Sequence, residues 1–106
     1  MDALPAVITE HLEAIRGLCV KYRVKRLAVF GSAAKGTFDP AKSDVDFVVE
    51  FIPQPRAGLR DVYFDLLQDL KDLLGREVDL VERKAVRNPY FLKVLELSEQ
   101  PLYDAA

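Results

Sequence analysis

Ser43-Asp44-Val45-Asp46 places two carboxylates one residue apart at the head of an apolar run. In a strand, alternate residues share a face, so Asp44 and Asp46 project together while Val45 and Phe47 project into a core. Carboxylates that close repel, and burying them unpaired is expensive. No Lys or Arg neighbours them on that face, which leaves a divalent metal as the simplest complement. Upstream, the run Leu27 to Phe30 stops abruptly at Gly31-Ser32. Gly31 frees the backbone for close approach, and the amides opening a short helix beyond it offer unpaired N–H groups to an anion. Ser32 adds a hydroxyl suited to phosphate oxygens. Lys35 either reaches a phosphate as a point charge or lies solvated. Downstream, Asp79 stands between Val78 and Leu80 and supplies a third carboxylate by the same alternation. Asp44, Asp46 and Asp79 have the hard oxygens to hold one or two Mg2+ ions. Such a set meets the needs of phosphoryl or nucleotidyl transfer, in which two metals stand roughly 3.5–4 Å apart. Asp79 could also act as a general base toward the acceptor.

Each piece alone has an ordinary reading: Gly-Ser as a turn, Asp-x-Asp as a solvated strand edge. Their order, each on the proper element, carries the site. A Walker phosphate loop fails, because Gly36 is followed by Thr37-Phe38 where that motif needs Lys then Ser or Thr.

These residues need elements to hold them. The 106 residues, half of them apolar, suffice for a single domain over 1–106 with one core. No apolar run approaches membrane-spanning length and no leader pattern opens the chain, so a soluble cytoplasmic protein is expected. The single cysteine, Cys19, excludes an internal disulfide. A net charge of −2 gives no bulk basic footprint for nucleic acid, so no direct nucleic-acid contact is expected. One histidine and no tryptophan argue against imidazole-based metal sites and Ser-His-Asp triads.

Leu4, Ile8, Leu12, Ile15, Cys19 and Tyr22 recur with helical period, with Asp2 as a cap and Pro5 in the first turn. His11 falls beside this stripe and reads as a surface residue. Strand one covers Leu27 to Phe30; strand two runs from about Asp44 to Phe51, with Val45, Phe47, Val49 and Phe51 inward. Pro53 to Gly58 breaks it, and a second helix carries Leu59, Val62, Tyr63, Leu66, Leu67, Leu70, Leu73 and Leu74, with Gly75 as its terminator. Strand three is Val78 to Val81. Asn88 caps a last helix with Pro89 at its first position, and Leu102-Tyr103 adds a short edge strand. The expectation is α+β: a small mixed sheet with helices on one face and the aspartates on the other, left open to a substrate.

Gly31-Ser32, Gly36, Ser43-Asp44-x-Asp46 and Asp79 together resemble the nucleotidyltransferase superfamily of the polymerase-β type, and within it the minimal nucleotidyltransferase branch (MNT). The likeness covers nearly the whole chain and implies the palm-like version of that fold. It implies Asp44, Asp46 and Asp79 as catalytic, Mg2+-binding residues, with Gly31, Ser32 and Lys35 at the triphosphate of ATP. Many members have Arg where Lys35 stands. Minimal members pair with a HEPN-domain toxin as antitoxins, in a hetero-oligomer, and some transfer AMP from ATP onto a toxin tyrosine. Two alternatives stay open: a non-catalytic antitoxin that silences its partner by occlusion, and an enzyme acting on a small-molecule acceptor.

Overall fold

The computed structural model describes residues 4–35, 39, 44–53 and 56–105, with backbone alone for 35 and 56–60. The order is α1 (Ala6–Thr9), α2 (Leu12–Lys21), β1 (Val24–Phe30), α3 (Ser32–Lys35), β2 (Val45–Phe51), α4 (Arg56–Leu74), β3 (Val78–Glu82), α5 (Pro89–Ser98) and β4 (Gln100–Asp104), with a 3-10 turn at Arg83–Ala85. The strands form one mixed sheet in the order β3-β2-β1-β4. β1 pairs antiparallel with both β2 and β4, while β2 and β3 run parallel. The α+β class and the mixed sheet are as the sequence leads one to expect.

Alternation along the strands sorts side chains onto two faces. Leu27, Val29, Val45, Phe47, Val49, Val78 and Leu80 join Ile15, Cys19, Leu66 and Leu70 of α2 and α4 in the main core. Burying each such Leu or Phe contributes roughly 1.5–3 kcal/mol. Cys19 is fully buried, and that burial pushes its thiol up to about 12. It is a packing residue.

Five details differ from the expectation. The first helix is two pieces, broken at Glu10-His11, although Ile8, Ile15 and Cys19 keep one buried stripe across the break. At the break His11 is half-buried, and its Nδ1 lies 2.9 Å from the Val7 carbonyl, so the ring closes the end of α1 instead of lying free on the surface. β1 starts at Val24, the extra turn of strand absorbed by a register shift between Val24 and Arg26. α4 starts at Arg56, inside the stretch read as a break. Last, α5 lies over the supposedly open face, where Leu95 is buried against Ala28 and Val48. α2 and α4 do occupy the other face, so α5 narrows the open area without filling it. Asp2, Gly36 and Ser43 lie outside the described residues.

α5 is held at both ends. The Asn88 side chain accepts from the amides of Tyr90 (2.9 Å) and Phe91 (3.4 Å), with Pro89 at the first position. At the other end Glu99 meets Arg26 at 2.8 Å and also pairs with Arg83, which reaches Glu50 at 3.7 Å. The Glu99 side chain is only 5% exposed, so these ion pairs are screened far less than surface ones.

Candidate functional site

The site is built on three strand ends. In the β1–β2 ladder Phe30 stands opposite Asp46, and in the β2–β3 ladder Asp46 stands opposite Asp79. Parallel pairing in register points both carboxyl groups to the same face, opposite the main core, because Val45, Phe47, Val78 and Leu80 take the inward positions. Asp46 and Asp79 are within hydrogen-bonding contact, and the charge of Asp44 is also felt at Asp46. Burial, then the hydrogen bond and charge of Asp79, then the charge of Asp44, push the Asp46 carboxyl up to about 6. The charges acting on Asp46 among the described residues are those of the Asp79 and Asp44 carboxylates, so negative charge converges on this point.

Gly31 ends β1 at φ +68°, and a Cβ built on it would lie 2.6 Å from Asp46 Oδ2. A glycine is therefore required twice over: for the left-handed backbone, and because any side chain would strike the carboxylate. The chain then turns into α3, where the Ala34 amide donates to the Gly31 carbonyl at 3.1 Å. Ser32 is half-buried at the start of this turn, beside the acidic pair's β1 flank. The Lys35 backbone closes α3; its side chain lies outside the described atoms.

Asp44, exposed, stands just before β2. Among the described residues no three His, Cys, Asp or Glu side chains stand together closely enough to grip a metal ion. Among the described residues the chain thus pairs Asp46 with Asp79, and Asp44 acts on Asp46 through its charge.

A groove of about 470 Å³ opens beside the pair. It is lined by Phe30 and Phe91 near the carboxylates, and it passes the β3 edge to Tyr63, Leu67 and Lys71 of α4. Phe30 and Phe91 meet edge to face, centroids 5.9 Å apart at 72°. Tyr63 donates its hydroxyl to the Leu80 carbonyl, and burial, then the charges of Glu82 and Asp79, raise its ionisation above the ordinary tyrosine range. Sequence reasoning read Tyr63 as packing and Phe91 as part of an apolar helix body. Only the position of Phe30, one residue before Gly31, signalled a site contact, since alternation puts it on the aspartate face.

Comparison with known proteins agrees with this geometry. Residues 12–100 match the family model for the nucleotidyltransferase domain. Two Methanocaldococcus jannaschii proteins are similar over most of their length. "Putative protein adenylyltransferase MJ1379" is 32% identical over 96 residues, 91% of each chain. "Putative protein adenylyltransferase MJ0128" is 46% identical over 76 residues, 72% of this chain and 74% of its own. Among solved structures, one described as a putative minimal nucleotidyltransferase superposes with a TM-score of 0.74 at 28% identity, covering 95% of this chain and 96% of its own. The fold also matches, at TM-score 0.65 and 17% identity over 92% of this chain and 72% of the other, a Shewanella oneidensis complex of a tri-AMPylated HEPN toxin with its MNT antitoxin. With the paired aspartates, the glycine they require and a family match over most of its length, the chain belongs to the nucleotidyltransferase domain family.

Proposed function

We propose that this protein is an antitoxin that transfers AMP from ATP, with Mg2+, onto a tyrosine hydroxyl of a partner HEPN toxin, within a hetero-oligomer in the cytoplasm. The observation that carries the reading is the Asp46–Asp79 pair, in register on one face, with Gly31 cleared away from Asp46 Oδ2. Relatives named as protein adenylyltransferases support a protein acceptor. A structural neighbour named as an AMPylated HEPN toxin bound to an MNT antitoxin supports the partner, and another with AMP-PNP supports the nucleotide.

The donor set fits Mg2+: hard carboxylate oxygens, converging negative charge, and an Asp46 carboxyl raised to about 6 that a cation would return to the charged form. Asp44, Asp46 and Asp79 would hold the metal, which on binding supplies charge neutralisation at the triphosphate and a more acidic acceptor hydroxyl. Gly31 lets the nucleotide approach the β1 end, and Ser32 and Lys35 offer a hydroxyl and a positive charge to its phosphates. The acceptor oxygen attacks the α-phosphorus, the bond to the β-phosphate oxygen breaks, and pyrophosphate leaves. Asp79 lies on the far side of Asp46 from Gly31, where it can receive the acceptor's proton.

Labelled ATP, Mg2+ and the purified HEPN partner test this directly. The wild-type protein labels the partner, and Asp46→Asn reduces labelling by at least a hundredfold. Labelling that survives the substitution overturns the assignment. The alternative reading is silencing by occlusion alone. It requires that Asp44→Asn/Asp46→Asn still neutralise the toxin, whereas the catalytic reading requires that neutralisation be lost.

A further inference from the structure

Asp79 belongs to β3, an edge strand of the sheet, and among the described residues β3 pairs only with β2. The phase of that ladder is fixed by one bond, the Val45 amide donating to the Glu77 carbonyl at 3.3 Å. Backbone groups alternate sides along a strand, so those of Asp79 and Val81 turn toward β2 while those of Val78 and Leu80 turn outward. The Tyr63 hydroxyl, which donates to the Leu80 carbonyl, meets β3 from that outer side. The Leu80 amide has no partner among the described residues, although Leu80 is only 6% exposed. A covered amide left unpaired is costly, and an open edge is a template for another strand. The groove beside it has the form such a strand needs. It is lined by every residue of 77–81 and by Tyr63, Leu67 and Lys71, which are spaced four apart on α4. One wall is therefore the edge of β3 itself, over roughly 16 Å of strand. The other is a single stripe of α4.

We infer that the acceptor protein docks by adding one extended segment to the outer edge of β3, with the acceptor residue directly opposite Asp79. The inference rests on the adenylyl-transfer reading and adds how the acceptor chain is held and what flanks its hydroxyl. Gly31 stands at the end of β1, across β2 from this edge, so segment and triphosphate approach Asp46 from opposite flanks. Cross-strand neighbours share a face, so the residue opposite Asp79 projects over the aspartate side of the sheet. The residues before and after it, opposite Val78 and Leu80, project to the core side, over Tyr63 and Leu67 of α4. Apolar side chains at those two positions cover the stripe; polar ones leave it in water and gain nothing. The main chain supplies affinity through the outward row, and alternate side chains supply selection. The Tyr63 hydroxyl holds the Leu80 carbonyl until an amide of the incoming segment takes its place.

The test uses ATP, Mg2+ and a capped heptapeptide with tyrosine at its centre, valine on either side of it and threonine elsewhere. AMP transfer is followed by mass spectrometry. A second peptide carries asparagine in place of the two valines, and a further set carries one N-methylated amide at each position in turn. The valine peptide is used with a kcat/KM roughly tenfold above that of the asparagine peptide. N-methylation raises KM roughly tenfold at alternate positions and little at those between, because only every second amide of an added strand faces β3. Tyr63→Phe releases the Leu80 carbonyl and lowers KM for the peptide roughly two- to tenfold, while KM for ATP stays put. Methylation that is tolerated alike, or harmful alike, at every position overturns the inference. So does equal use of the valine and asparagine peptides, or a peptide KM that Tyr63→Phe leaves unchanged or raises. A heptapeptide left unmodified by protein that does label the purified HEPN partner overturns it too and spares the adenylyl-transfer reading; labelling of neither overturns both. Sedimentation of the protein alone as a dimer that Glu82→Pro disperses, by removing an outward amide, gives the edge to a second copy and overturns the inference as well.

Discussion

Gly31 and Asp46 compete for one small volume, and the competition decides what either position tolerates. Gly31→Ala adds a Cβ 2.6 Å from Asp46 Oδ2 at φ +68°, a conformation costing an L-residue roughly 1–2 kcal/mol. The carboxylate must move, so kcat is expected to fall at least tenfold while circular dichroism still reports the native fold. Asp46 also sets a pH dependence. Its folded carboxyl titrates at about 6, above the ordinary 3.8, so between those values the folded state holds more proton than the unfolded one. Stability in metal-free buffer therefore falls as pH rises from about 4 to about 6 and is flat beyond, with the penalty fully present above pH 6. Asp46→Asn removes the penalty, raising stability at pH 7 by about 1 kcal/mol after allowance for solvent screening, while transfer is lost. Urea titrations of both proteins at pH 4 and pH 7 measure this; equal stabilities at pH 7 would show that neither burial nor the neighbouring Asp79 and Asp44 carboxylates penalise the Asp46 charge. The shared face of Asp46 and Asp79 and the turn at Gly31 were readable in the sequence because strand alternation and turn chemistry are local rules. How the chain enters β2, which sets where Asp44 stands relative to that pair, was not readable, since it depends on the loop before the strand.

At the scale of elements, α5 shows the same division between local and distant information. Asn88-Pro89 announced its start, and the structure has that cap. Its seat on the aspartate face was hidden, because an apolar helix does not state which sheet face it will cover. Three of the four residues that pin its far end are also unremarkable in sequence: Arg26 and Glu50 look like solvated strand positions, and Arg83 like a turn residue. Only the folded sheet brings them to Glu99. Glu99→Ala leaves Arg83, whose side chain is 14% exposed, without its closest anion. A loss of about 2–3 kcal/mol is expected from thermal or urea unfolding, toward the low end for broken buried pairs because Arg26 is partly solvated. Asn88→Ala, at the other end, costs about 1 kcal/mol. The larger effect at Glu99 would establish that α5 is held by its C-terminal anchor more than by its cap.

The molecule as a whole is a sheet with two unequal apolar layers, and they divide the labour. Leu66 belongs to the large layer that α2 and α4 build; Leu95 belongs to the small one, with Ala28 and Val48, beneath the helix that carries Phe91. Both leucines are fully buried, so truncation to alanine costs about 2–5 kcal/mol at either. Their effects on function should differ. Leu66→Ala opens a cavity on the face away from the aspartates, so at 10 °C, where the variant remains folded, transfer to an acceptor continues near the wild-type rate. Leu95→Ala loosens α5 over the site and moves Phe91 relative to Phe30, so transfer slows several-fold even at a temperature where the variant remains folded. Unfolding followed by far-ultraviolet dichroism and by tyrosine fluorescence, with the exposed Tyr90 on α5 as a reporter, provides the companion measurement. Coincident transitions in Leu66→Ala beside an early fluorescence change in Leu95→Ala would show the small layer opening before the large one. If both variants lose activity in proportion to stability, the two layers form one unit, and the site depends on the global fold alone.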